Sequence, residues 1–165
     1  MISLIIPCFN EEDNLDKLFD RLSLLLKEFS SEKIEIIIVD NGSTDNSNHK
    51  ITSNRLFQSK KISLLSIKNN KGYGDGINQG INFSKGEFIC WFHADLQFDP
   101  IDAIKIFSKY KEKLLNEKII VKGSRINRGF LDKFFTYGMS LFTFLLFKEK
   151  LNDINAQPKI FKRNY

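Results

Sequence analysis

Short apolar runs alternate with longer stretches of 3.6-residue periodicity, and this constrains the chain more than any other feature. The run "ISLIIP" over 2–7 predicts a strand. The stretch 11–29 that follows places Leu15, Leu18, Phe19, Leu22 and Leu26 on one helix face. "KIEIIIVD" over 33–40 predicts a second strand, and "GSTDNS" is a turn and cap cluster that opens a polar helix running to about Arg55. A third strand is expected over 62–67, a glycine-rich entry into a helix over 71–84 and a fourth strand over 87–92. Residues 99–115 predict a helix with Pro100 in its first turn, and 118–124 a fifth strand. Strands that alternate with helices make an α/β domain, with a mainly parallel sheet covered on both faces. At 165 residues a single domain is expected.

The totals narrow the class. Hydrophobic residues are 42% and charged residues 27%, a globular rather than a disordered composition. The net charge of +5 favours anionic partners such as nucleotides, phosphates or acidic lipid surfaces, and suits a plain soluble basic protein equally well. Nothing points to nucleic acid as a partner. Cys8 and Cys90 each lie in or beside a strand, which suggests two buried free thiols in a reducing compartment. "MISLIIPCFNEEDN" lacks the basic start of a signal peptide. No apolar run reaches the ~20 residues of a spanning helix. The segment 133–148 carries 14 uncharged residues between two lysines. As a helix it would extend roughly 21 Å, short of a hydrocarbon core of about 30 Å. It reads as a helix lying in the bilayer interface, with a buried core helix or a homodimer surface as alternatives.

Parallel sheets bind ligands beyond the carboxyl ends of their strands. Those ends carry "PCFNEE", "VDNGSTD", "HADLQ" and "GSR", where polar residues concentrate. Asp40 closes the second strand and is suited to accept hydrogen bonds from a base edge or a ribose hydroxyl, whereas Asp45 is expected to cap the next helix. Glu11 either binds a ribose or complements a helix dipole. In "KGYGDGINQG" the glycines allow backbone to approach a diphosphate, with Lys71 or Asp75 nearby, or simply start a tightly packed helix. A dinucleotide fingerprint is a poor match, because Ile77 takes the third glycine position and the segment follows the third strand. Asp95 leaves the fourth strand as a hard oxygen ligand for Mg²⁺ or Mn²⁺, helped by Gln97 or a water. Such a cation offsets charge on a departing diphosphate. Zinc does not suit a chain with two histidines and no thiol at ligand spacing. Asp99, immediately before Pro100, is expected to cap a helix.

Six segments, "IPCFNEE", "IIIVDNGSTD", "KGYGDGINQG", "HADLQFDP", "VKGSR" and "LNDINAQPKIFKR", together resemble glycosyltransferase family 2 in order and spacing. The nearest branch is that of dolichol-phosphate mannose synthase and the polyprenyl-phosphate sugar transferases. The resemblance runs over nearly the whole chain. It implies a GT-A fold, a Rossmann-like three-layer sandwich, formed by a single domain over 1–165 that is truncated relative to longer relatives. It implies inverting transfer from a GDP- or UDP-sugar to a lipid-phosphate or glycan acceptor, most simply a polyprenyl phosphate. On this resemblance Pro7, Phe9, Glu11, Asp40, Lys71, Gly72, Asp75 and Ala94 serve the nucleotide-sugar. Asp95 with Gln97 holds Mg²⁺ or Mn²⁺ and the diphosphate. Arg125 acts at the phosphates, and Lys133 and Lys159 meet the acceptor. The chain departs from the family at His93, where an Asp is usual, and at Thr136, where this branch carries an arginine. Gln157-Pro158-Lys159 also replaces a Gly-Phe-Arg pattern. The enzyme reading places the protein on the cytoplasmic face of a membrane. The rival reading is a nucleotide-sugar-binding module that has lost catalysis and docks a membrane partner.

Overall fold

A computed structural model of the chain describes residues 1–124, 137–138, 140, 143–146, 148, 153 and 155–164. In chain order the elements are β1 (Ile2–Cys8), α1 (Glu12–Glu28), β2 (Ile34–Asp40), α2 (Ser47–Ser53), α3 (Arg55–Gln58), β3 (Ser63–Ser66), α4 (Tyr73–Phe83), β4 (Phe88–Trp91), α5 (Pro100–Asn116), β5 (Ile120–Lys122) and β6 (Lys159–Lys162). The chain divides into two compact units, Met1–Val121 with Pro158–Tyr165, and Lys122–Gln157.

The sheet has six strands in the order β3-β2-β1-β4-β6-β5. β1 pairs in parallel with β2 on one side and β4 on the other. β2 pairs in parallel with β3, and β4 pairs antiparallel with β6. The chain therefore builds outward from β1 through β2 to β3, then returns to the other side of β1 for β4. That reversal opens a crevice at the carboxyl ends of β1 and β4.

Every residue of β1 is buried, as its unbroken apolar run demands of a strand covered on both faces. Its alternate side chains feed two cores, because successive residues of a strand point to opposite faces. Leu4, Ile6 and Cys8 pack with Leu15, Leu18 and Leu22 of α1 and with Ile101, Ile104 and Phe107 of α5. Ile5 joins Ile37, Val39 and Ile89 on the other face, against Ile81 of α4. This is the three-layer α/β arrangement read from the sequence.

Two elements differ from the sequence reading. The polar helix does not run unbroken to Arg55. Asn54 is extended (φ −72°, ψ 143°), and its side chain accepts from the Leu56 N–H to start the separate α3. The sheet also holds β6, which the sequence reading treated only as a phosphate motif. β6 lies between β4 and β5, so β5 is an edge strand one place farther out. Four residues with one buried Ile160 are too short for periodicity to reveal. Arg163 secures this strand: its guanidinium donates to the carbonyls of Gly86 (2.8 Å), Ile81 (3.0 Å) and Ser84 (2.8 Å), and its backbone N–H donates to Glu87 O (2.8 Å).

Arg125 and Lys133 lie outside the described residues, as does much of 133–148. Within that segment Tyr137, Phe144, Leu145 and Leu146 are exposed. Among the described residues no helix is long and apolar enough to cross a membrane.

α4 approaches the sheet closely because Gly80 carries no side chain. A Cβ there would meet Ile5 Cγ2 at 2.5 Å and Val39 Cγ2 at 2.9 Å. Gly80→Ala is therefore expected to lose about 1–3 kcal/mol of stability to overpacking. Urea unfolding followed by circular dichroism checks this, and an unchanged midpoint would show that α4 sits farther from the sheet than described.

Candidate active site

The exits of β1 and β2 are tied together before any ligand is considered. β1 ends at Cys8, and the Asn41 N–H continues the ladder onto Cys8 O (2.8 Å). α1 then begins without a side-chain cap of its own. Its first N–H groups are satisfied from the β2 exit instead. Glu11 N donates to Ser47 Oγ (3.0 Å) and Glu12 N to Asp45 Oδ2 (3.1 Å). In return Glu12 Oε2 accepts from Asn46 N (2.8 Å), and Asn10 Oδ1 accepts from Thr44 N (2.8 Å). Asp45 Oδ1 also accepts from Ser47 N (2.9 Å), so the expected cap of the next helix is present and Asp45 serves α1 as well. Burial pushes the Asp45 carboxyl up. Donation from the Ser47 hydroxyl and N–H and from the Glu12 N–H outweighs it and holds the pKa below the usual range.

Gly42 makes the turn after β2 with φ 78°, a conformation that favours glycine. A Cβ there would stand 3.1 Å from Asn70 N and 3.3 Å from Ile67 O, so this turn lies against the segment that leads into α4. Asp40 itself is buried. Its oxygens accept from Ser43 N (2.9 Å) and Asn48 Nδ2 (2.8 Å).

A cleft of about 230 Å³ opens where these segments converge, at the carboxyl ends of β1, β2 and β4. Pro7, Cys8, Phe9 and Glu11 come from the β1 exit, and Asn41 from the β2 exit. Asn70, Gly72 and Tyr73 come from the entry to α4, and His93 from the β4 exit. The rings of Tyr73 and His93 stack with centroids 4.4 Å apart and planes 5° apart. Burial, reinforced by Asp95, pushes the Tyr73 phenol up to about 12. Burial pulls the His93 imidazole below its ordinary value against the opposing pull of Asp95 and Glu11. His93 is thus uncharged near pH 7. The Cys8 thiol is pushed up to about 12 by burial and by Asp40, so it stays protonated.

Asp95 follows in a tight turn. Its Oδ1 accepts from Gln97 N (3.1 Å), and Leu96 takes φ 59°. Asp99 ends the turn and caps α5, accepting from Ile101 N (3.0 Å), as the sequence reading expects. It also accepts from Arg21 Nε of α1 (3.3 Å). The loop is anchored at both ends, which holds a residue with a side chain in left-handed backbone.

Four of the expected donor residues therefore meet in one cleft: Pro7, Phe9, Glu11 and Gly72. Asp40 lies beneath its turn, Ala94 is buried in the core, and Lys71 is exposed at the start of the glycine loop. Asp75 accepts from Gln79 Nε2 (2.6 Å) within α4. Lys159 pairs with Trp91 at the end of β4, with its ammonium 5.3 Å from the indole centroid. Asn41, Asn70 and Tyr73 were not singled out from the sequence. Amides in a turn and a lone aromatic in a glycine run carry no signal that separates ligand contact from turn chemistry.

Among the described residues no three His, Cys, Asp or Glu side chains gather to hold a metal ion. Among the described residues of the β4 exit turn, Asp95 offers a carboxylate to the crevice, with one oxygen engaged by Gln97 N. That donor set does not fit an all-protein cage. It fits a Mg²⁺-like ion that keeps waters and takes most of its oxygens from a diphosphate.

The family model for Glycosyl transferase family 2 matches residues 3–161. The chain belongs to that family. The dolichyl-phosphate beta-glucosyltransferase of Dictyostelium discoideum is 31% identical over 178 aligned positions, covering 98% of this chain and 54% of that protein. The undecaprenyl-phosphate 4-deoxy-4-formamido-L-arabinose transferase of Yersinia pestis is 34% identical over 99 positions, covering 60% of this chain and 30% of that protein. This family 2 chain thus spans about half or less of the curated relatives it matches. Among solved structures, glucosyl-3-phosphoglycerate synthase from Mycobacterium tuberculosis with UDP superposes with a TM-score of 0.69 at 18% identity, over 99% of this chain and 57% of that one. A mannosyltransferase from Pyrobaculum calidifontis with GDP-Man and Mn²⁺ superposes with a TM-score of 0.67 at 17% identity, over 99% and 44%. The fold is GT-A, as the resemblance implies.

Asp45→Ala removes a cap shared by two helices and is expected to cost about 1–2 kcal/mol at pH 7. The folded pKa is depressed. The carboxylate's contribution is therefore complete above the unfolded value of about 3.9 and disappears as pH falls through the lower folded one. Urea titrations of both proteins at pH 7 and pH 3 should show the gap narrowing on acidification; a constant gap would contradict the ionised cap.

Proposed function

We propose that this chain is the donor-binding and catalytic domain of a transferase that moves a sugar from UDP or GDP to a polyprenyl phosphate, with inversion at the anomeric carbon. The observation that carries this reading is the cleft at the β1/β4 switch point of a family 2 chain, lined by Pro7, Phe9, Glu11 and Gly72. The two curated relatives are named for transfer involving dolichyl and undecaprenyl phosphate, and the two solved neighbours hold UDP or GDP-Man.

Each group has a task. Phe9 offers a half-exposed ring for a nucleobase, and Glu11 offers a carboxylate for a ribose hydroxyl. Gly72, with open space around it, lets backbone N–H groups approach the diphosphate. Asp95, helped by Gln97, would hold Mg²⁺ or Mn²⁺, which supplies Lewis-acid stabilisation of the leaving diphosphate. His93 stands beside Asp95 without adding a positive charge. A protonated Cys8 offers no nucleophile, which suits direct displacement rather than a covalent intermediate. A lipid phosphate is already ionised near neutral pH and needs no general base. Arg125, Lys133 and Lys159 are assigned to its oxygens, where an arginine fork and ammonium groups suit phosphate. The apolar side chains exposed within 133–148 support seating on the cytoplasmic face of a bilayer, where such an acceptor resides.

A second reading, a donor-binding module without turnover, is favoured by His93 at the place of a family acid. One assay separates the two. Donor turnover is measured with UDP-glucose and GDP-mannose, with Mn²⁺, and with undecaprenyl phosphate in vesicles. Turnover that falls roughly a hundredfold or more in Asp95→Ala supports the enzyme. Undiminished turnover in that variant removes Asp95 from the mechanism, and donor binding with no turnover at all favours the module.

A further inference from the structure

We propose that Arg21 of α1 is a positioning residue for the metal site: its guanidinium, forked onto Asp99, holds the turn that aims the Asp95 carboxylate into the crevice. The inference rests on the reading that Asp95 carries Mg²⁺ or Mn²⁺. It goes beyond the capping role of Asp99, because Arg21 acts on metal affinity through Asp99 and the turn.

A cation that takes few oxygens from the protein depends on where its carboxylate points. Asp95 Oδ1 accepts from Gln97 N (3.1 Å), within the same turn, so the carboxylate moves with the turn. That turn is not relaxed. Leu96 takes φ 59°, backbone that a residue with a side chain adopts only where its surroundings hold it there. At its base the turn is packed: Ala94 is buried, and the ring of Phe98 lies against Phe92 with centroids 5.5 Å apart. Its outer side is open. A cavity of about 360 Å³ lies between the turn and α1, lined by Lys17, Asp20, Arg21, Leu96 and Asp99.

Arg21 spans this gap. Its Nε donates to Asp99 Oδ1 (3.3 Å) and its Nη2 to Asp99 Oδ2. Two such bonds fix the angle between the groups as well as their separation, which one ammonium contact does not. Asp99 is anchored on its other side too. Its Oδ1 accepts from Ile101 N (3.0 Å), and its carbonyl accepts from Asp102 N (3.0 Å). α1 is seated in turn by Leu15, Leu18 and Leu22, all fully buried. The fork therefore ties the turn to a helix that is itself fixed in the core. Folding stability owes little to it. The two side chains are 37% and 34% exposed, and an ion pair so open to water adds little to folding free energy. What the fork restricts is the direction of the turn that carries Asp95.

The test is a mutant cycle of Arg21→Met, Asp99→Asn and the double variant. Mn²⁺ binding is followed by electron paramagnetic resonance on protein carrying one equivalent of UDP or GDP. Methionine keeps an unbranched stem and asparagine keeps the helix cap, so each removes the fork and little else. Each single variant is expected to bind Mn²⁺ about tenfold more weakly, and the double variant no more weakly than the singles. Nucleotide affinity without metal should stay at the wild-type value, and raised Mn²⁺ should restore donor turnover. Thermal unfolding shows whether each protein is folded, and Asp99→Asn decides alone if Arg21→Met is not. Wild-type Mn²⁺ affinity in a folded single variant overturns the inference. So do additive losses in the double variant, or an equal fall in metal-free nucleotide affinity, which marks a general loosening. Asp95→Ala is run alongside. Undiminished Mn²⁺ affinity in that variant, or a wild-type nucleotide complex that binds no Mn²⁺, overturns the metal reading itself, and this inference with it.

Discussion

The double pairing of β1 governs everything built at the rim of this sheet. β1 meets β2 in a register that ends with Cys8 opposite Asp40, and meets β4 with Ile5 opposite Trp91. Three exits are thereby brought to one line. A slip of one residue on either side would turn Leu4, Ile6 and Cys8 out of the α1/α5 core and into the α4 face. The burial of two different apolar layers is what forbids the slip. The cross-capping of α1 by Ser47 and Asp45 then carries the register outward, from the ladder into the loops that bear Glu11 and Asn41.

Electrostatics at the β4 exit follow from one substitution of type. Where the family resemblance leads one to expect an acid, His93 is present and uncharged near pH 7. The turn thus places one carboxylate, Asp95, at the crevice, and the next, Asp99, is engaged by Arg21 and by the first turn of α5. A cation at such a place depends on oxygens that its substrate brings. Tyr73, stacked on His93, supplies flat apolar surface beside it instead of charge.

Much of this was legible in the sequence, and for physical reasons. Fully buried strands and amphipathic helices leave strong periodic signals, so β1, β2, α1 and α5 are found within a residue or two of their expected bounds. Acids at strand exits stand out against apolar runs, which is why Glu11, Asp40 and Asp95 drew attention. The capping roles expected of Asp45 and Asp99 are present. What escaped notice lacks a local signature. β6 is four residues long and owes its existence to pairing with β4, a partner some seventy residues away by sequence number. Asn54 reads as one more polar residue in a polar helix, yet its extended backbone divides α2 from α3. Asn41 looks like turn filler, and only the three-dimensional arrangement shows an amide whose nitrogen is engaged and whose oxygen has no hydrogen-bond partner among the described residues.

The placement of β6 has a consequence for biosynthesis. β4 and β5 are never direct neighbours; a strand from near residue 160 stands between them, fastened by Arg163 to the turn before β4. A ribosome releases the chain from its amino end, so β1 to β4 and their helices assemble while β6 is still unmade. During that interval β4 presents a bare hydrogen-bonding edge to its surroundings, the kind of edge that recruits foreign strands. Completion of the sheet waits on the segment around residue 160 to emerge, and the nascent domain depends on that strand for protection from its neighbours in the cell.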